Sequence, residues 1–379
     1  MENTARQRTD LHQKKSIREA WWFRPILVHY LLLIIAILLP YYNNVQEGMT
    51  LEHIKHALIN WDSHWYIGIA ERGYESEKAA AFFPFVPILL KIFGSPYIVI
   101  GITQIAFFIC LCLLREFFKR FNMTDSQMKA GIWFFAVNPC AIYYATIYTE
   151  VWTVLFSLAS LHMAVKGKWF YACLFAAILT STRATALIFG IFPLVLFLMS
   201  LWKKDWKMVR NSLLWGMSCT IGLLCYMIYL YYTFGDPMIF STTQEKHWDH
   251  YSVLPWVQII EGFHADFAID IVEIRQGLWT LAVLFAFFGT VSIWRLRSNV
   301  KWESLGAILF VVITIIFTFS FGTRGMPMHS TLRYLSVLFP LYAVMAIVLP
   351  KPLRGVLIIL FAIVSFMSAW NFTHHIWNL

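Results

Sequence analysis

The 379-residue chain is 59% hydrophobic and 18% aromatic, with only 13% charged residues, too few polar groups to coat a soluble globule of that size. It therefore reads as an integral membrane protein. A net charge of +9 would suggest nucleic acid as a partner of a soluble chain, but the way that charge is distributed along the sequence excludes the reading.

Residues 1–24 form a short basic tail, and 25–379 read as one polytopic membrane domain with no soluble module, low-complexity linker or internal repeat. Apolar stretches close to the ~20 residues that cross ~30 Å of hydrocarbon predict an all-α bundle of about 11 transmembrane helices. They fall at 26–42, 97–119, 129–146, 148–166, 169–184, 186–202, 211–233, 277–295, 303–320, 332–349 and 353–371. The first ends in Tyr41, Tyr42 and Asn43, where a cleavable signal would need small residues, so it is an anchor.

With the N-terminus in the cytoplasm and the side alternating at each span, 21 of the 30 basic residues fall on inner segments. Of the 21 acidic residues, 14 fall outside: six in 44–81, seven in 234–276, and Glu150 in a tight turn. This is the asymmetry of the positive-inside rule. The basic excess is topological, and no nucleic-acid partner is expected. The six cysteines lie in or beside apolar spans without metal-ligand spacing, so neither a disulfide framework nor a zinc site is indicated.

Two outer loops, 44–96 and 234–276, are long enough to fold over the membrane surface as short amphipathic helices. In the first, Asp62, Trp65, Tyr66 and Ile69 recur at i, i+3, i+4 and i+7, placing a carboxylate and aromatics on one helix face. The following AFFPFVPILLKIFG (81–94) is apolar but too short to span, and reads as a half-inserted or surface-lying helix. The second loop opens with Asp236-Pro237, a helix-start signal. Trp248 and Trp256 are expected to anchor its helix at the membrane interface.

Charges at membrane depth are costly and therefore candidates for function. Asp62, Glu150, Arg183 and Arg333 all fall on the outer side at similar depth. Each also has a structural alternative. Asp62 could cap the helix that starts near Ser63, as could Asn60, and Asp236 is explained by capping as well as by chemistry. The two arginines could be snorkelling anchors or ion-pair partners of Glu150. Histidines 53, 56, 64, 247 and 250 include i,i+3 pairs that could hold a metal, but surface-loop histidines are usually solvated, and no metal site is assigned.

No P-loop, dinucleotide fingerprint, nucleophile elbow or H-E-x-x-H is present. A polyprenyl-phosphate-linked sugar suits one carboxylate and two arginines outside a membrane: the tail lies between helices, the phosphate meets arginine, and the sugar projects outward. Its leaving group is already ionised and needs no general acid, unlike a glycoside hydrolase with its two carboxylates. One base, accepting the proton of the attacking hydroxyl, suffices. The rivals are a transporter or lipid flippase that binds a phosphate headgroup without chemistry, and a non-catalytic subunit of a glycosylation complex.

The stretches WDSHWYIGIAERGY, AFFPFVPILL, NPCAIYYATIYTE, LTSTRATAL, FGDPMIF…Q…W and LRYLSVLFP occur in the order and rough spacing of the PIG-V mannosyltransferase family, over about residues 55–345. The chain resembles a GT-C glycosyltransferase, and more closely the prokaryotic branch of that family. The resemblance implies a helical membrane fold, a lipid-phosphate sugar donor with mannose as the sugar, an inverting reaction, and no cofactor beyond the lipid-linked sugar. It implies Asp62 as the base, Arg183 and Arg333 as donor-phosphate ligands, and Glu150 as a positioning residue. Around them His64, Trp65, Tyr66, Asp236, Gln244 and Tyr334 are expected to position substrate. The acceptor would be a lipid, glycan or protein hydroxyl on the outer or lumenal face.

Overall fold

The structure, a computed structural model, describes residues 23–43, 56–265, 301–324 and 330–375; the expected span at 277–295, His53 and most of the basic tail lie outside them. The helices of the described residues are α1 (Phe23–Asn43), α2 (Asp62–Arg72), α3 (Phe85–Phe93), α4 (Pro96–Lys119), α5 (Asp125–Ala136), α6 (Glu150–Val165), α7 (Trp169–Leu179), α8 (Ile191–Trp202), α9 (Trp206–Phe234), α10 (Ile239–Trp248), α11 (Pro255–Ala265), α12 (Trp302–Phe319), α13 (Thr331–Ser336), α14 (Phe339–Val348) and α15 (Lys351–Thr373). Among them α4, α9, α12, α15 and the stretch Ala184–Trp202 are long and apolar enough to cross a membrane. Their outward faces carry large apolar residues such as Ile105, Leu198, Ile228 and Ile359, as lipid contact requires.

In the bundle α6 packs between α4 and α7, α9 lies against α7 and α8, and α12 against α8, while α14 meets α5 and α15 meets α1. Gly222 permits the close approach of α9 to α7, since a Cβ there would stand 2.3 Å from the Ala177 carbonyl oxygen. Small residues at such contacts are what packing in lipid favours.

Each expected span within the described residues has a helical counterpart, but two of them are not continuous helices. The span expected at 129–146 is helical only to Ala136, then turns irregular through Asn138-Pro139 and a 3-10 turn at Ala141–Tyr144. The one expected at 332–349 is broken at Val337-Leu338, ahead of Pro340. Proline cannot supply the helical N–H and clashes with the preceding turn. The freed backbone groups are satisfied inside protein: the Ser336 carbonyl accepts from the Tyr144 hydroxyl at 2.7 Å and the Tyr342 hydroxyl at 2.8 Å, and the Ala145 carbonyl accepts from Gln104 Nε2 at 3.0 Å. At membrane depth, irregular backbone survives only under such cover.

On the loop side, α2 follows the expected amphipathic pattern, with Tyr66 and Ile69 buried. Helix α3 lies as expected for a short surface helix, burying Val86, Pro87 and Leu90 while Ile88, Ile92 and Phe93 remain exposed. Helix α10 docks on a 3-10 turn at Glu77–Ala81, where Thr243 Oγ1 donates to the Glu77 carbonyl at 3.0 Å. A two-stranded antiparallel ribbon, β1 (His250–Ser252) with β2 (Phe321–Thr323), adds the described residues' one departure from an all-α architecture. It ties the loop after α10 to the end of α12.

Candidate active site

The four charged residues singled out in the sequence converge, and the breaks in the helices are what deliver them. Asp62 opens α2 and Glu150 opens α6, directly after the irregular segment that follows Pro139. Arg183 stands in extended backbone between α7 and the 3-10 turn Ala184–Gly190, and Arg333 lies in the one-and-a-half turns of α13. Both Trp61, just before Asp62, and Ser330, just before α13, adopt left-handed backbone at φ 54° and 58°. Non-glycine residues in that region cost about 1–3 kcal/mol and cluster where the surrounding structure over-determines them for function.

Arg333 is the hub. Its Nη1 donates to Asp62 Oδ2 at 2.6 Å, and its Nε donates to Glu150 Oε1. The guanidinium also lies over the rings of Tyr148 and Tyr143, at 4.7 and 5.4 Å from their centroids. Arg183 is held more loosely, with Nη1 3.6 Å from Glu150 Oε1 and its guanidinium 5.0 Å from the Tyr334 ring centroid. Glu150 is fully buried, at the positive end of the α6 dipole. Glu150 Oε2 and Arg183 Nη1 are buried without a hydrogen-bond partner, and two such atoms in one cluster beside a cavity suit a polar ligand.

Asp62 is not a helix cap. Its carboxylate turns to Arg333, no side chain caps α2, and the alternative cap, Asn60, instead donates to the Phe372 carbonyl at 2.8 Å. The Asp62 backbone N–H is taken up by the Tyr148 hydroxyl at 3.2 Å, which lies 3.4 Å from the Asn60 carbonyl.

The cluster forms one wall of a cavity of about 170 Å³. Tyr66, Gln244 and Tyr334 also line it, as expected, whereas His64 and Trp65 line a neighbouring groove with Asp62. Burial and the nearby Asp62 charge raise the Tyr66 pKa, so its phenol keeps its proton. Asp236 lines neither space. Its Oδ1 accepts the Met238 N–H at 2.8 Å in an Asx turn, two residues short of the N-cap: the helix expected to start at Asp236-Pro237 starts at Ile239, after Met238, and no side chain caps it. Trp248 packs edge-on to Trp65 and Phe82, at 5.8 and 5.5 Å, and lines the cavity. Among the described residues no three His, Cys, Asp or Glu side chains converge on a metal-sized space.

Spacing alone did not reveal Tyr143, Tyr148 or His250 as cavity residues. The tyrosines sit in the irregular YYATIYT stretch, where no helical period applies, and their density just ahead of Glu150 was the available signal.

A family described as Mannosyltransferase (PIG-V) matches residues 43–260, more than half of the chain. The chain belongs to the PIG-V mannosyltransferase family. GPI mannosyltransferase 2 of Drosophila melanogaster is 25% identical over 222 residues, 51% of this chain and 48% of that protein. The chain thus matches about half the length of this curated relative. Among solved structures, ArnT from Cupriavidus metallidurans, crystallised bound to undecaprenyl phosphate, matches with a TM-score of 0.50 at 11% identity, over 94% of this chain and 76% of that one. That likeness shows a shared fold. The region matched to the PIG-V family contains Asp62, Glu150, Arg183 and Gln244, while Arg333 and Tyr334 lie beyond it and join the site only through tertiary packing.

Proposed function

We propose that this PIG-V-family chain transfers mannose, with inversion, from a polyprenyl-phosphate donor to an acceptor hydroxyl on the outer or lumenal face of the membrane. The observation that carries the reading is the cluster itself: a partly exposed carboxylate, Asp62, and a loosely held arginine, Arg183, border one cavity, with unpartnered polar atoms buried beside them. The family match supports mannose as the sugar, and the neighbour crystallised with undecaprenyl phosphate supports a lipid-phosphate carrier. The acidic outer loops and basic inner segments support the outer face, with the N-terminus in the cytoplasm.

In the proposed step Asp62 accepts the proton of the acceptor hydroxyl as that oxygen forms a bond to the anomeric carbon. The bond from this carbon to the phosphate oxygen breaks, and its electron pair leaves with the polyprenyl phosphate. Arg183 is the phosphate ligand, because its guanidinium has hydrogen-bonding capacity to offer. The sequence expectation gave Arg333 the same task. Its engagement by two carboxylates instead makes it a positioning residue that aims Asp62, with Glu150 fixing Arg333 in turn. No general acid is required, and the step as written calls on no metal.

The test is purified full-length protein in nanodiscs with polyprenyl-phosphate-mannose and alkyl-glycoside acceptors. Removing a general base costs about 10²–10⁴-fold in rate, so Asp62→Ala should lose transfer by that factor while still binding donor. Equal transfer by Asp62→Ala and wild type would sink the base assignment. Movement of donor between leaflets with no transfer by wild type would establish a flippase instead.

A further inference from the structure

The cavity does not end at Asp62. It shares Trp61, Asp62 and Trp248 with an open groove of about 520 Å³, which shares His64 and Trp65 with a second groove of about 200 Å³ running past Gly68, Arg72 and Glu75. The three spaces follow one side of α2, where Asp62, Trp65, Ile69 and Arg72 recur at i, i+3, i+7 and i+10. From Asp62 to Arg72 that is about 15 Å at 1.5 Å per residue, longer than any single sugar ring.

The groove's chemistry is selective. Trp65 is fixed by stacking on Phe82, centroids 5.3 Å apart and planes 9° from parallel, and Lys78 Nζ lies 5.6 Å from its ring centroid. At the far end Arg72 Nε donates to Glu75 Oε2 at 2.9 Å, and Nη1 meets Glu71 at 3.2 Å. With Lys78, Arg72 offsets Glu71 and Glu75, so this stretch carries no surplus cation, and the pairs present donors and acceptors at the groove's edge. Burial, and then the charges of His375 and His56, lower the His64 pKa and keep its imidazole neutral. Rigid aromatic surface beside charge-balanced polar pairs suits a ligand with apolar faces and hydroxyl edges. It does not suit a hydrocarbon tail, which has no polar edge, or a polyphosphate, which needs surplus cations.

We infer that the groove along α2 is the acceptor site, and that the acceptor is a neutral oligosaccharide of at least two sugars laid along Trp65, Gly68 and Arg72 with its reactive hydroxyl at Asp62. This rests on the proposed transferase reading for the direction of the chemistry. In a single displacement the acceptor enters opposite the leaving phosphate, and of the three residues shared by the Arg183 cavity and the open groove, Asp62 is the one with a carboxylate. Gly68 keeps the groove floor low; a Cβ there would already stand 2.9 Å from Arg72 Nη2.

The experiment measures binding without donor. Full-length protein in nanodiscs is titrated with fluorescent alkyl glycosides carrying one, two or three hexoses, in a mannose and a glucose series. In at least one series the Kd should fall tenfold or more from one sugar to three, and Gly68→Phe should cut that gain to less than threefold. Arg72→Ala, at an exposed side chain that the fold does not need, should do the same and guards against misfolding of the bulkier variant. A Kd independent of sugar number, or variants that weaken every ligand equally, would overturn the groove assignment. In a parallel transfer assay, transfer without length dependence rejects the groove alone. Length-dependent binding with no transfer rejects the transferase reading, and the acceptor role with it.

Discussion

Replacing Arg333 with methionine removes the cation between two carboxylates and keeps an unbranched apolar stem. The side chains of Arg333, Asp62 and Glu150 are 15%, 20% and 0% exposed, so the cluster is largely desolvated. Two unit charges 4 Å apart attract by about 4 kcal/mol at an effective dielectric constant of 20, but dehydrating the ions offsets most of that gain when the cluster forms. The cost of the substitution therefore comes from depriving buried Glu150 and half-buried Asp62 of their shared cation, about 3–5 kcal/mol as for a broken buried pair. Out of a total stability of about 5–15 kcal/mol, that loss should be plain in a thermal or denaturant melt of the detergent-solubilised protein. Glu150→Gln in the Arg333→Met background should restore about 0.5–3 kcal/mol, the coupling expected of residues that share one network. The decisive readout is the double-mutant cycle. If the two substitutions are additive, or if Arg333→Met melts like wild type, then Arg333 does not hold the carboxylates together and the positioning role assigned to it fails.

Arg183→Lys keeps the charge but loses the planar fork and the contact with the Tyr334 ring; donor KM should rise about tenfold, the effect of about 1.4 kcal/mol, with a smaller change in kcat, and an unchanged donor KM would remove Arg183 from the phosphate site. Gly222→Leu should destabilise the bundle by about 1–3 kcal/mol or more through overpacking, because even a Cβ would collide with the Ala177 carbonyl and the Ser181 amide; a melt equal to wild type would show that α7 and α9 do not pack this closely. His250 in β1 has its pKa lowered from the ordinary 6.5 by burial, against an opposing Asp249 charge. Its protonation favours the unfolded chain, so the stability that this neutral ring supports is complete above about pH 6.5 and is lost as the pH falls through and below that value. A His250→Gln variant should lose less thermal stability than wild type between about pH 7.5 and 5.5, and parallel pH profiles would contradict the assignment.

Hydropathy carried most of the fold. The positions of α4, α9, α12 and α15 follow from continuous apolar stretches, because lipid exposure demands apolar residues whatever the neighbours are. The helical face of α2 was equally legible from the spacing of Asp62, Tyr66 and Ile69. Where protein rather than lipid surrounds the backbone, that rule loses its force. The spans expected at 129–146 and 332–349 are mostly apolar, yet they break ahead of Pro139 and Pro340, and their loose carbonyls are met by the side chains of Tyr144, Tyr342 and Gln104. Trp248 shows the same limit: amphipathic aromatics favour the membrane interface in general, but which rings this one packs against, Trp65 and Phe82, only the fold decides.

By itself the sequence determined that the chain crosses the membrane many times, that Asp62, Glu150, Arg183 and Arg333 are charges in need of partners, and that its motifs are those of one glycosyltransferase family. Composition and charge cost decide those points, and both are properties of the residue types. Who partners whom was decided in three dimensions. Asp62 and Arg333 are 271 positions apart and Glu150 and Arg333 183 apart, and no local pattern can order two like-charged arginines around two carboxylates. Only the packing of the broken helices makes Arg333 the clamp and leaves Arg183 facing the cavity.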